Sequence, residues 1–197
     1  MFWSTTLPAL RELLPSPGRL TIDLGCGEGR SSRALQELGH HVIGVEAAPT
    51  LARAAATHPA PVTVVRADAA ALPLVDGCAD LIAASMVFQN VDDLPGAFAE
   101  CARVLRPGGH LVGVIVHPFR QVSVVDGQYL RTQPFVYPAR RNGLTMTFTD
   151  HHRPISAYLN GLAQAGFVLE QLAEVGEPDG GLPMLLGWRC RTGSPNP

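Results

Sequence analysis

Long apolar runs are missing from this chain of 197 residues. The longest near the middle, Leu111-Val112-Gly113-Val114-Ile115-Val116, has the length of a buried strand and falls far short of the ~20 residues a membrane-spanning helix needs. Met1-Phe2-Trp3-Ser4-Thr5-Thr6 has no basic stretch followed by an apolar core, so neither a secretory signal nor a membrane partner is expected. Charge is scarce too, at 16% of residues with a formal net of −2, and the arginines are scattered. Nucleic-acid binders usually carry a basic patch, so no nucleic-acid partner is expected. Cysteine is limited to Cys26, Cys78, Cys101 and Cys190, far apart and without a C-x-x-C pair. That spacing speaks against a zinc site, or any metal, and fits a cytoplasmic setting. Apolar residues are plentiful, at 46%, enough for one globular domain across residues 1–197.

Short apolar runs alternate with longer amphipathic ones, the pattern of an α/β fold with a parallel sheet covered by helices. Strands are expected over residues 19–24, 41–46, 62–67, 79–84 and 110–116, with a late pair at 167–175 and 183–191. The intervening helices span about 28–38, with Gly39 as C-terminal cap, and about 49–58, opened by Pro49. A third is capped by Asp93 and runs to Leu105, and a fourth starts at Pro154. Residues 118–150 break this rhythm. Leu144-Thr145-Met146-Thr147-Phe148 alternates like an extra strand, and the whole segment reads as an excursion over the sheet's carboxyl edge, on the substrate side.

The first strand runs into Asp23-Leu24-Gly25-Cys26-Gly27-Glu28-Gly29. Glycines there let backbone approach a ligand closely, and a helix follows at once. The dinucleotide spacing G-x-G-x-x-G would need glycine at position 30, where Arg30 stands. Asp23 sharpens the choice, since a carboxylate before the glycines repels a pyrophosphate and attracts a cationic amino-acid group. The lesser alternative is a strand-end Asp that merely hydrogen-bonds the loop backbone. Glu46 ends the second strand, where a carboxylate can accept from both hydroxyls of a ribose at roughly 1.5–3 kcal/mol each. Asp68-Ala69 follows the third strand, placed to meet an exocyclic amine and a ring nitrogen of adenine. Each signal is weak alone; their order at successive strand ends is the strength.

Together with Gly44-Val45-Glu46, Ala67-Asp68-Ala69, Asp80-Leu81-Ile82 and Arg103-Val104-Leu105-Arg106-Pro107-Gly108-Gly109, this loop resembles the class I S-adenosylmethionine-dependent methyltransferases, closest to the small-molecule branch called type 11. The resemblance covers about residues 10–117. It implies a Rossmann-like, doubly wound, seven-stranded sheet whose last strand is antiparallel. It also implies S-adenosylmethionine as cofactor, held by Asp23, Gly25, Cys26, Gly27 and Gly29 at its amino-acid end. Glu46 and Ala47 would then lie at the ribose, Asp68 and Ala69 at the adenine, and Ser85 near the sulfonium. Only about eighteen residues precede the first strand, where many relatives carry one or two closing helices, and Trp3 is a candidate partial lid.

Methyl transfer needs an in-line nucleophile in a dry site, and positioning supplies up to about 7–11 kcal/mol. No fixed catalytic residue follows from that. His117, at the end of the fifth strand, is the candidate base or substrate contact, with a structural histidine as the equal alternative. Phe88, Gln89, Tyr129 and Tyr137 are the further candidate substrate contacts. His151, His152 and Arg153 read more simply as a capped and solvated turn. The competing functions are a protein of the same fold and cofactor that does not methylate (a cyclase, decarboxylase or regulatory subunit) and, against Arg30, a nicotinamide-dependent oxidoreductase. Sequence alone leaves the acceptor and the oligomeric state open.

Overall fold

The computed structural model describes residues 2–141, 144–176 and 181–193. Seven strands form one sheet: β1 (Thr21–Leu24), β2 (Val42–Glu46), β3 (Thr63–Arg66), β4 (Ala79–Ser85), β5 (Leu105–Val116), β8 (Phe167–Val175) and β9 (Leu185–Thr192). Two more, β6 (Gln133–Arg141) and β7 (Leu144–His152), pair only with each other as an antiparallel ribbon. The main sheet has the order β3-β2-β1-β4-β5-β9-β8. β1 to β5 run parallel, and β9 lies antiparallel to both β5 and β8.

The helices are α1 (Leu7–Leu13), α2 (Arg30–Glu37), α3 (Pro49–Thr57), α4 (Leu94–Val104) and α5 (Ile155–Gln164). β4 shows why the sheet must be covered on both faces: every residue from Ala79 to Ala84 is buried. Its side chains alternate in direction, as strand geometry requires. Ile82 and Ala84 share a core with Phe98 and Cys101 of α4 and with Tyr158 and Leu162 of α5. Leu81 instead packs with Leu10 and Leu13 of α1, and Ala83 with Leu35 of α2. A strand buried on both faces reads as an unbroken apolar run, which is why β4 carries no period-2 signal.

The chain leaves β1 outward to β2 and β3, then returns to β4 on the other side of β1. This reversal opens a crevice at the carboxyl ends of β1 and β4, where doubly wound sheets bind ligands. Three expectations are corrected. α2 begins at Arg30 and not Glu28, because Gly29 takes a left-handed φ of +85° and holds the helix start back. β5 begins at Leu105 and not His110; Pro107-Gly108-Gly109 lies inside it, opposite a register shift between Ala79 and Leu81. A proline cannot donate to the ladder, so an irregularity there is the physical outcome. The excursion holds a 3₁₀ turn over Pro118–Val125 and two strands where one was expected.

Candidate functional site

The crevice is a cleft of about 660 Å³. Its floor comes from successive strand ends: Leu24, Gly25 and Gly27 at the end of β1, Val45 to Ala48 at the end of β2, Ala67 to Ala71 after β3, and Met86 and Val87 after β4. Thr147 and Thr149 of β7 and Asn90 to Asp93 of the loop after β4 complete the wall.

Backbone geometry at the glycine loop is demanding. Gly25 has φ +65°, and a Cβ there would fall 2.5 Å from Val87 Cγ2. Gly27 also has positive φ, with no atom within 4 Å of where a Cβ would lie, so its backbone faces open cleft. Glu46 organises this loop: one carboxylate oxygen accepts from Gly27 N–H and the other from Ala48 N–H, both at 2.8 Å. Each oxygen keeps a second lone pair, because a carboxylate offers about four acceptor sites. Asp68 Oδ1 accepts from Ala70 N–H at 2.8 Å and pins the turn after β3. The same turn is held from α4, where Glu100 accepts from Leu72 N–H at 2.7 Å and Arg103 donates to Leu72 O at 2.9 Å and Leu74 O at 2.7 Å.

Asp23 stands behind the loop. It is 1% exposed and does not line the cleft. Its Oδ2 accepts from the hydroxyls of both Ser31 and Ser32 at the start of α2. Burial pushes its carboxyl up to about 6, the two serine hydrogen bonds pull it back, and the charge of Glu46 pushes it further up.

A family model described as a methyltransferase domain matches residues 22–113. A malonyl-[acyl-carrier protein] O-methyltransferase of Serratia marcescens is 39% identical over 93 residues, which is 47% of this chain and 36% of that protein. A demethylmenaquinone methyltransferase of Renibacterium salmoninarum is 30% identical over 116 residues, 58% of this chain and 49% of that one. The matched stretch thus spans half or less of the length of these curated relatives. The crystal structure of an S-adenosylmethionine dependent methyltransferase from Mesorhizobium loti is 28% identical, with a TM-score of 0.72 over 93% of this chain and 96% of that one. Residues 22–113 thus match a methyltransferase domain, and the fold across the chain is that of an S-adenosylmethionine dependent methyltransferase.

Within that domain, the residues singled out from sequence separate into two groups. Gly25, Gly27, Glu46, Ala47, Asp68 and Ala69 line the cleft. Asp23, Cys26, Gly29 and Ser85 stand behind it. Cys26 Sγ packs over Gly44, burial pushes its thiol up to about 12, and Gly29 lies against Ala55 and Val62. Ser85 is the last residue of β4, one position before Met86, which does line the cleft.

None of the candidate substrate contacts with a described side chain lines this cleft. Phe88 is fully buried between Phe98 and Trp188, an aromatic core and not a wall. Gln89 is buried as well, and its backbone carbonyl accepts from His151 N–H at 2.7 Å. Tyr129 packs at a tilt against Phe119 and edge-on against His152, and its hydroxyl accepts from Ile155 N–H at 3.1 Å. Tyr137 lies in β6, and its side chain falls outside the described residues. His117 is 1% exposed: Nδ1 accepts from Phe119 N–H at 3.1 Å, which leaves Nε2 to donate to Glu174 Oε1 at 2.9 Å. With both nitrogens committed, it has no lone pair in position to take a proton. Trp3 is 61% exposed and lies outside the cleft wall.

Sequence reasoning missed Met86, Val87, Asn90, Thr147 and Thr149. Met86 is a non-glycine residue at φ +62°, with its N–H bonded to Val114 O at 2.7 Å. A bulky side chain held there is strained, and such strain gathers at functional sites. The one sequence signal for Thr147 and Thr149 was the alternation in β7, which places both on one face.

Proposed function

We propose that this chain transfers a methyl group from S-adenosylmethionine to a small-molecule acceptor. The observation that carries the proposal is the cleft at the sheet's reversal point, walled in order by Gly25, Gly27, Glu46 and Asp68. Its volume suits a cofactor with a small acceptor, since ligand pockets run about 300–1,000 Å³. The donor set also fits. Glu46 retains acceptor sites for the ribose hydroxyls, and Asp68 with Ala69 N–H stands where an adenine edge would be met. The exposed backbone at Gly27 leaves room for the amino-acid end, and the buried charge of Asp23 behind it attracts a cation.

The cofactor, when bound, supplies an electrophilic methyl group on a sulfonium. The chain's own contribution is placement and dryness. Met86 and Val87 form an apolar wall beside Gly25, and Ser85 sits next to them near the transfer point. His117 acts in this reading as a strut between β5 and β8. The names of the relatives, a malonyl-[acyl-carrier protein] O-methyltransferase and a demethylmenaquinone methyltransferase, support a small methyl-accepting group, bound beneath Thr147 and Thr149 of β7. The four unpaired cysteines suit the cytoplasm, and no described helix is long and apolar enough to cross a membrane.

The test is turnover. Purified protein with S-adenosylmethionine and pooled hydroxyl, amine and carboxylate metabolites is expected to form S-adenosylhomocysteine only when an acceptor is present, read by mass spectrometry. No product with any pool, together with no binding of the cofactor, overturns the proposal.

A further inference from the structure

β6 and β7 stand apart from the main sheet as a two-stranded ribbon. Such a hairpin is marginally stable in water by itself, so its position depends on where it is tied down. At its last residue, His152, β7 is tied to Tyr129 O at 2.8 Å and to Gln121 at 3.3 Å; its ties beside the cleft run to the loop after β4. Asn90 Nδ2 donates to Thr149 O at 3.2 Å and also to Asp150 Oδ1. His151 N–H donates to Gln89 O at 2.7 Å. Asn90 is itself a wall residue of the cleft, beside Thr147 and Thr149.

Asp150 is only 3% exposed. Burial raises its carboxyl, and the hydrogen bond from Asn90 opposes that. A buried carboxylate without a partner is strongly unfavourable, so the Asn90 amide matters more to Asp150 than a surface bond would. Asn90 is exposed at the cleft. One amide therefore joins a ligand-facing wall to a buried charge at the end of β7.

We propose that Asn90 and Asp150 are positioning residues that latch β7 over the cleft, holding Thr147 and Thr149 in place as its wall and slowing the departure of whatever the cleft holds. This rests on the proposed methyltransferase function for the identity of the ligand, but the latch itself does not. Thr149 contributes its backbone carbonyl to the latch and is itself a residue of the cleft wall, so docking of the ribbon and occupancy of the cleft reinforce each other.

The test is a charge exchange. Asn90→Asp sets two carboxylates against each other, Asn90→Leu removes the amide without adding charge, and Asn90→Asp combined with Asp150→Asn restores a donor–acceptor pair with its direction reversed. Hydrogen exchange of the β6 and β7 amides reads the latch, and the release rate of S-adenosylhomocysteine reads its effect on the cleft. Both single variants are expected to lose at least tenfold protection in β6 and β7 and to release S-adenosylhomocysteine about tenfold faster, with the main sheet's protection unchanged. The double variant, which restores the bond to position 150 but not the one to Thr149 O, is expected to recover part of both. Unchanged protection in the single variants, or no recovery in the exchange, overturns the latch. If the wild type fails to bind S-adenosylhomocysteine at all, the functional proposal falls while the exchange data still judge the latch.

Discussion

Asp23 keeps a carboxylate out of water at the end of β1, supported by two serine hydroxyls and opposed by Glu46. Burial pushes its carboxyl up to about 6 in the folded chain, against 3.8 for an ordinary aspartate. Between those values the folded state holds a proton that the unfolded state has lost, so stability is full below about pH 4 and falls as pH rises through 6. That interval corresponds to about 3 kcal/mol at neutral pH, an order-of-magnitude figure. Asp23→Asn is therefore expected to be more stable at pH 7 by about 1–3 kcal/mol, and its urea midpoint should stay flatter between pH 4 and 6 than that of the wild type. A variant no more stable at pH 7 contradicts this reading. A charge retained despite such a cost makes sense if the cleft receives a cation, so the same substitution is expected to weaken binding of S-adenosylmethionine while stabilising the empty protein.

The loop between β4 and α4 is the element on which the site depends most. Arg153, 5% exposed, donates to Phe88 O at 3.2 Å, Val91 O at 2.6 Å and Asp92 O at 3.2 Å. Three carbonyls that no strand or helix satisfies are thus closed by one guanidinium. Asp93 Oδ1 accepts from Gly96 N–H at 2.9 Å and starts α4 where the loop ends, as its N-cap position suggested. Arg153→Met removes those bonds while keeping most of the side chain's bulk, and is expected to lower stability by roughly 2–4 kcal/mol. Arg153→Lys is expected to rescue little, since an ammonium lacks the planar fork. Thermal unfolding of the two variants checks both statements, and a Lys variant matching the wild type sinks the second. From sequence, Arg153 read as a solvated turn because its partners lie about sixty positions upstream. The second strand of the ribbon was hidden for a different reason. Pro134 and Pro138 in β6 argue against a strand, yet four residues apart they share one edge direction, and a two-stranded ribbon leaves that edge unpaired.

At the scale of the molecule, the parallel half of the sheet was readable because each strand is a short apolar run followed by its own turn chemistry. Gly25, Gly27, Glu46 and Asp68 meet at the cleft because they end adjacent strands, so order along the chain becomes proximity in space. Met86, Asn90, Thr147 and Thr149 could not be found that way. Thr149 reaches Asn90 across 59 positions, through a ribbon folded back over the sheet's edge. His117 shows the converse: it sits at a strand end, but β8 faces it there and Glu174 occupies its ring nitrogen. A strand-end position settles which edge a side chain is on, and packing settles what it meets.

Binding of an adenosyl sulfur compound in this cleft, through Glu46, is the central claim. Calorimetric titration of wild type and Glu46→Gln with S-adenosylhomocysteine, and of wild type with reduced nicotinamide dinucleotide, tests that most directly. The expected result is one S-adenosylhomocysteine per chain, binding at least about tenfold weaker in Glu46→Gln, and no heat with the dinucleotide. Equal affinity in the two proteins, or binding of the dinucleotide in place of S-adenosylhomocysteine, would contradict it.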